Sequence, residues 1–229
     1  MIRLVLFDID GTLVLTGGAG VRGMARAFAD LFAVPDAFAT LHTFGRTDSW
    51  ILSDALALHG IPDDLATTQR FREAYIAHLR NELEQPGPRK GVMPGVRVLL
   101  DSLAARGDVY LALLTGNYED AARLKLEYFD LWRYFPCGAF GDDAPDRNRL
   151  LPQAIEKVRE CGGPDVAPDE VMVIGDTPLD VACAASGGAH SLAVATGVYS
   201  VSDLAQAGAE IVMDDLSDLD AVLAALKLE

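Results

Sequence analysis

The sequence predicts an α/β protein built on a doubly wound parallel sheet, with a helical unit inserted after the first strand. Three observations lead there. Short apolar runs at 2–7, 109–114, 170–174, 190–195 and 210–213 are rich in Val, Leu and Ile, are too brief for helices, and each gives way to Gly, Asp or Thr. Between the later runs lie segments of helical spacing, at 94–106, 118–129, 147–160, 178–187 and 217–226, so strand and helix alternate. Residues 16–91 break that rhythm: Val21, Met24, Ala25, Phe28 and Phe32 share one helical face, and 48–59 and 66–84 read as two more helices with no strand between them.

Taken in order, the first run stops at Asp8 and the insertion follows it. The insertion is flanked by residues that break regular structure, Thr16-Gly17-Gly18-Ala19-Gly20 on one side and Gln85-Pro86-Gly87-Pro88 on the other, as expected of two linkers that let one unit move against another. The expected division is therefore 1–15 with 92–229 as the sheet-bearing core, and 16–91 as the insert. The segment 134–140, with Tyr134, Phe135 and Phe140, reads as one further short strand. Neither an internal repeat nor a low-complexity tract is present.

Composition narrows the function classes. A chain of 229 residues, half of them hydrophobic, is long enough for one good-sized core plus a smaller unit. A formal charge of −15 leaves no basic stripe for a phosphate backbone, which argues against nucleic acid as a partner. No apolar stretch reaches membrane-spanning length, and the N-terminal run ends at Asp8 rather than continuing toward a cleavage site, so a cytoplasmic protein without a membrane partner is expected. Nothing in the sequence points to an oligomeric state. Cys137, Cys161 and Cys183 form neither a C-x-x-C pair nor a Cys/His cluster and read as small buried hydrophobes.

In an open parallel sheet all strands end at one edge, where ligands bind, so residues distant in sequence meet there. The first such end is Asp8-Ile9-Asp10-Gly11-Thr12. Two carboxylates one residue apart, with a glycine to turn the backbone, suit a nucleophile and an acid, although Asp-x-Asp-Gly is also a turn signal. The second is Thr115-Gly116-Asn117, a hydroxyl and free amides leading into a helix, which suits phosphate oxygens or else a helix cap provided by Asn117. The third is Gly175-Asp176-Thr177-Pro178-Leu179-Asp180, where Pro178 fits a first helical turn; capping by Asp176 or Thr177 is the competing reading, which accounts for the proline better than for the second acid. Acids crowded at one edge repel unless a cation joins them, and a hard divalent ion such as Mg²⁺ suits carboxylate oxygens beside a phosphate. A phosphate dianion needs further positive charge, for which Arg147 and Arg149 are the candidates, with solvated surface as the competing reading for either.

These residues together resemble the haloacid dehalogenase superfamily, in its phosphatase branch, similar to phosphoglycolate phosphatases and β-phosphoglucomutases. The resemblance covers essentially the whole chain. Four motifs stand in the family's order, and the helical insert occupies the position of that family's C1-type cap on a Rossmann-like core. It implies that Asp8 is the nucleophile that becomes an aspartyl phosphate, while Asp10 protonates the leaving group and then deprotonates water. It implies that Asp8, the Asp10 backbone carbonyl and Asp176 hold Mg²⁺, with Asp180 among or beside them, and that Thr115 with the amides of Gly116 and Asn117 binds the phosphoryl group. The family usually has Lys in the third motif. No lysine stands between Lys125 and Lys157, and spacing to the following helix puts Arg147 in that role, with Arg149 as the alternative. Phe44-Gly45-Arg46-Thr47-Asp48 resembles the family's substrate-specificity loop, which implies that Arg46 reaches an anionic group on the substrate. A helix start capped by Thr47 is the competing reading.

The expected activity is Mg²⁺-dependent hydrolysis of a small phosphorylated metabolite. A phosphomutase is the nearest alternative within the fold, and a protein that binds a phosphometabolite without turning it over is the alternative from another class.

Overall fold

The computed structural model describes residues 1–228. Its main sheet has six parallel strands. β1 (Leu4–Phe7) is central, flanked by β4 (Tyr110–Leu114) and β6 (Val171–Gly175). β5 (Gly138–Ala139) lies outside β4, and β7 (His190–Val194) then β8 (Ile211–Met213) lie beyond β6. In chain order the chain moves outward from β1 on one side, then crosses back and moves outward on the other. The reversal beside β1 opens a crevice at the strands' C-terminal ends.

All four residues of β1 are buried, and their alternation assigns them to two layers. Val5 and Phe7 face a cluster that takes in Leu99 and Leu103 of α4 (Val96–Ala104), Leu126 of α5 (Glu119–Tyr128) and Val222 of α9 (Leu219–Ala225). Leu4 and Leu6 face the opposite cluster, with Leu151 and Ala154 of α6 (Leu150–Glu160) and Ala184 of α7 (Pro178–Gly187). A strand buried on both faces reads as a continuous apolar run, which is why β1, β4 and β6 stand out in the sequence.

Between β1 and β4 the chain forms α1 (Ala19–Phe32), α2 (Asp48–Leu58) and α3 (Leu65–Glu82), which pack on an apolar cluster of their own containing Phe28, Leu52, Phe71 and Leu79. Tyr118 and Ala121, from the start of α5, close the base of that cluster. Where the chain leaves and rejoins the sheet-bearing part, β2 (Val14–Leu15) and β3 (Gly91–Val92) pair antiparallel. Two-residue strands carry no periodicity, so this antiparallel pair is not legible in the sequence. The six-residue α8 (Val201–Gln206) escapes notice for the same reason.

Two expectations are corrected. The strand sought over 134–140 is confined to Gly138–Ala139, because Pro136 interrupts the run and Trp132–Tyr134 winds into a 3₁₀ turn. Cys137 and Cys161 are not buried hydrophobes: they form a disulfide, with Cα atoms 6.3 Å apart. Residues 140–149 join β5 to α6, and packing of the helix back along the strand brings its C-terminal end beside the strand's start. Cys183 alone is a free, buried thiol.

Candidate active site

Asp8 directly follows the last residue of β1, and its amide donates to Ile174 O at 2.9 Å, which ties it to the end of β6. The chain then turns tightly: Gly11 adopts φ +90°, and a Cβ there would lie 2.3 Å from an Asp176 carboxylate oxygen. Glycine is needed here both for the left-handed backbone and for the close approach. Asp8, Asp176 and Asp180 are all buried, with ligand oxygens within 4.8 Å of one another.

Among the described residues a single cation pairs with this cluster. Arg147, buried at the start of a short 3₁₀ turn ahead of α6, places Nη2 3.0 Å from Asp8 Oδ1, pairs the same nitrogen with Asp180 Oδ1, and donates Nη1 to Gly45 O at 2.9 Å. Arg149 is exposed. Burial works against the charge of Arg147, but Asp180 and Asp8 outweigh it and raise its pKa further. Burial likewise pushes Asp8 up to about 6, Arg147 opposing and Asp180 and Asp10 reinforcing, and pushes Asp176 well above the ordinary carboxylate range, with Asp180 and Asp8 adding to the effect. One arginine among three buried carboxylates leaves negative charge uncompensated. The donor set, all carboxylate oxygen, fits a hard divalent cation. Within it Asp180 is already engaged: Oδ2 accepts from the Thr177 amide at 3.0 Å and the Thr177 hydroxyl at 2.7 Å, and Oδ1 accepts from Arg147. Asp8 and Asp176 therefore have the freer oxygens, and Asp180 braces the start of α7 as well as the arginine.

The second strand end does something other than cap a helix. Asn117 does not cap α5; its Nδ2 donates to Asp10 Oδ2 at 2.9 Å and to Thr115 Oγ1 at 2.8 Å. Thr115 is fully buried at the end of β4, and the side chain of Asp10 is 40% exposed, open to the space between the two parts of the molecule. That space is a cavity of about 230 Å³, lined among others by Asp8, Asp10, Asn117, Arg147 and Asp176 from the sheet side and by Met24, Arg46 and Tyr75 from the helical insert.

The loop before α2 is latched over the site. The Asp48 amide donates to Gly116 O at 2.7 Å, the Asp48 carboxylate accepts from the Tyr118 amide at 2.8 Å, and Thr47 Oγ1 donates to Pro145 O at 2.8 Å. Thr47 also caps α2 by accepting from the Trp50 amide, so the capping reading of this loop holds. Arg46 lines the cavity, but its guanidinium bonds Asp54 at 2.6 Å and stacks over Trp50.

Lys125 and Tyr75 go unrecognised in the sequence, and Asp48 enters there only as the last residue of the loop motif with no role of its own, although all three belong to the same space. Lys125 left a trace there: it falls on the apolar stripe of α5 with Ala121, Ala122 and Leu126, where a charge requires a buried partner. Tyr75, an aromatic on an apolar helix face, looks like ordinary core.

The family model for haloacid dehalogenase-like hydrolases matches residues 2–188. The chain is 32% identical over 228 residues to a phosphoglycolate phosphatase of Rhodospirillum rubrum, covering 96% of this chain and 90% of that one. To a phosphoglycolate phosphatase of Agrobacterium fabrum it is 28% identical, covering 96% and 91%. In fold it is similar to a hydrolase from Pseudomonas syringae, with a TM-score of 0.74 at 24% identity over 99% of both chains. Sheet order, crevice and family match agree: this chain belongs to the haloacid dehalogenase-like hydrolases, in their phosphatase branch.

Proposed function

We propose that the protein hydrolyses a small phosphate monoester, with 2-phosphoglycolate as the leading substrate, in two steps through a phosphate ester of Asp8. The observation that carries this reading is the pairing of Asp8 with Arg147 at the closed end of a cavity into which Asp10 also opens. A cavity of about 230 Å³ suits a substrate of few atoms, and the relatives' names point to a two-carbon acid phosphate.

In the first step an Asp8 carboxylate oxygen attacks phosphorus while the ester P–O bond breaks, and the proton of Asp10 passes to the leaving oxygen. In the second, Asp10 takes a proton from water as that water attacks the phosphorus, the bond to Asp8 breaks, and inorganic phosphate leaves. Arg147 holds Asp8 in place and offsets phosphoryl charge, while Thr115 Oγ1 and the amides of Gly116 and Asn117 receive the equatorial oxygens. The Asp8 and Asp176 carboxylates and the Asp10 carbonyl, with Asp180 alongside, would hold Mg²⁺, which would supply further positive charge to the phosphoryl group. Residues 16–91 act as the cap, whose latch at 47–48 excludes water during the first step. Arg46 serves the far anionic group of the substrate if it exchanges Asp54 for it.

Phosphate release from 2-phosphoglycolate, glucose 1-phosphate and an aryl phosphate, each with Mg²⁺ and with chelator, tests this. The expected result is metal-dependent hydrolysis with preference for 2-phosphoglycolate and no turnover in Asp8→Asn. Activity that survives either chelation or that substitution overturns the mechanism, and glucose 6-phosphate as the product from glucose 1-phosphate would make the enzyme a mutase.

A further inference from the structure

Lys125 stands in the last turn of α5, yet it is buried, with 4% of its side chain exposed. Helix side chains lean toward the N-terminus, so a long one on this face runs back along α5 toward the strand ends. The path is kept clear. Ala121 lies one turn below on the same stripe, and Gly20 of α1 faces the ammonium, where an added Cβ would sit 3.4 Å from Nζ. At its end Nζ bonds Asp10 Oδ2 and Asn117 Oδ1, both at 2.5 Å. Asn117 in turn donates to the same oxygen of Asp10 and to Thr115.

Asp10 Oδ2 is thus held from two directions by groups that are also bonded to each other, and each of the three fixes the other two. Asp48 on α2, whose buried carboxylate feels the charge of Lys125, and Tyr75 on α3, whose buried hydroxyl has no hydrogen-bond partner among the described residues, complete the surroundings from the insert. A buried lysine is tolerated only where its partners are in place, so the ammonium cannot drift from this geometry cheaply.

We propose that Lys125 is a positioning residue: with Asn117 it clamps one oxygen of Asp10, so that the other is presented to the leaving-group oxygen of the substrate. The inference rests on the reading of Asp10 as proton carrier. Lys125 itself exchanges no proton and does not touch the substrate.

Proton delivery matters for an alkyl ester, whose alkoxide leaves poorly, and hardly at all for 2,4-dinitrophenyl phosphate, whose phenolate leaves unaided. Pre-steady-state formation of the Asp8 ester therefore separates positioning from structure. In Lys125→Met, ester formation from 2-phosphoglycolate or another alkyl phosphate is expected to fall about 10²-fold or more, the range for a lost general acid, while the dinitrophenol burst stays within about 3-fold of wild type. Lys125→Arg, which retains the charge, should recover part of the alkyl rate. Equal losses with both esters, unchanged rates with both, or a raised KM at constant kcat would each overturn the proposal. Should the methionine variant not fold, Lys125→Gln is read by the same two esters and the same criteria. Asp10→Asn is the control for the underlying reading: if it shows no leaving-group dependence, Asp10 is not the proton carrier and that reading fails, whereas dependence in Asp10→Asn but not in the Lys125 variants rejects only the role of Lys125.

Discussion

Arg147 Nη2 lies 3.0 Å from Asp8 Oδ1, with both side chains buried and 138 residues of chain between them. Removing the guanidinium leaves Asp8 and Asp180 facing each other unpaired. Arg147→Ala is expected to lower turnover about 10²–10³-fold, the cost of losing one donor aimed at developing charge. Urea unfolding should also show a loss of about 3–5 kcal/mol, as for a buried pair broken on one side. Arg147→Lys keeps the charge without the fork and should fall between. Arg149→Ala, on the surface, should retain wild-type turnover and stay within about 0.5 kcal/mol in stability. The reverse ranking of the two alanine variants would make Arg149 the cation that serves Asp8.

Gly116 is pressed against the latch. A Cβ there would stand 2.3 Å from Arg46 O and 2.9 Å from Thr47 Cα, which are backbone atoms that cannot rotate away. Gly116→Ala should hold the loop off the site, lowering kcat/KM for 2-phosphoglycolate while costing about 1–3 kcal/mol of stability as an overpacked contact. Steady-state kinetics beside a denaturation curve would check both. Unchanged kcat/KM would mean that latching is not needed for turnover.

Asp48 is a pH-dependent cost to the fold. Burial pushes its carboxyl up to about 7, with Lys125 and the Tyr118 amide opposing. The folded state therefore holds this proton more tightly than the unfolded chain, whose value is near 3.8. The corresponding stability is fully present below about pH 4 and is lost as pH rises to about 7, at a slope of up to ~1.4 kcal/mol per pH unit. Asp48→Asn keeps an oxygen for the Tyr118 amide and removes the titration. In metal-free protein the variant should be the more stable of the two at pH 8, and the advantage should shrink toward pH 4. Parallel urea curves across that range would refute the assignment if the difference did not change with pH.

The Cys137–Cys161 disulfide closes a loop of sequence separation 24. Loop-closure entropy assigns such a link about 3 kcal/mol. Thiol titration of the unfolded, unreduced protein should therefore find only Cys183, and reduction should lower the urea midpoint without altering turnover, because the bond joins β5 to the far end of α6. Three free thiols before reduction would contradict it.

What could be read from the sequence has a local cause. β1, β4 and β6 are apolar on both faces, so each run announces a buried strand, and the residue after it announces the edge where ligands bind. Asp8, Thr115 and Asp176 were placed at that edge from chain order alone, because a parallel sheet aligns its strand ends whatever lies between them. The helical spacing of Val21, Met24 and Phe28 marked the insertion for an equally local reason. Which cation serves the site was a different matter. Arg147 and Arg149 are two residues apart and chemically identical, and only the direction of a 3₁₀ turn buries one and exposes the other. Asn117 presented the signature of a helix cap and instead joined Asp10, since its partners come from the turn after β1 and from the last turn of α5. Lys125 carried a trace in its position on an apolar stripe, but its target could not be read there: the oxygen it bonds belongs to a residue 115 positions away. The pairing of Cys137 with Cys161 depends on a helix returning along a strand. Sequence alone thus determined the layers and the edge, where periodicity and burial act over a few residues. The tertiary structure decided which polar groups meet there, because hydrogen bonds and charges act over a few ångströms between segments that only folding brings together.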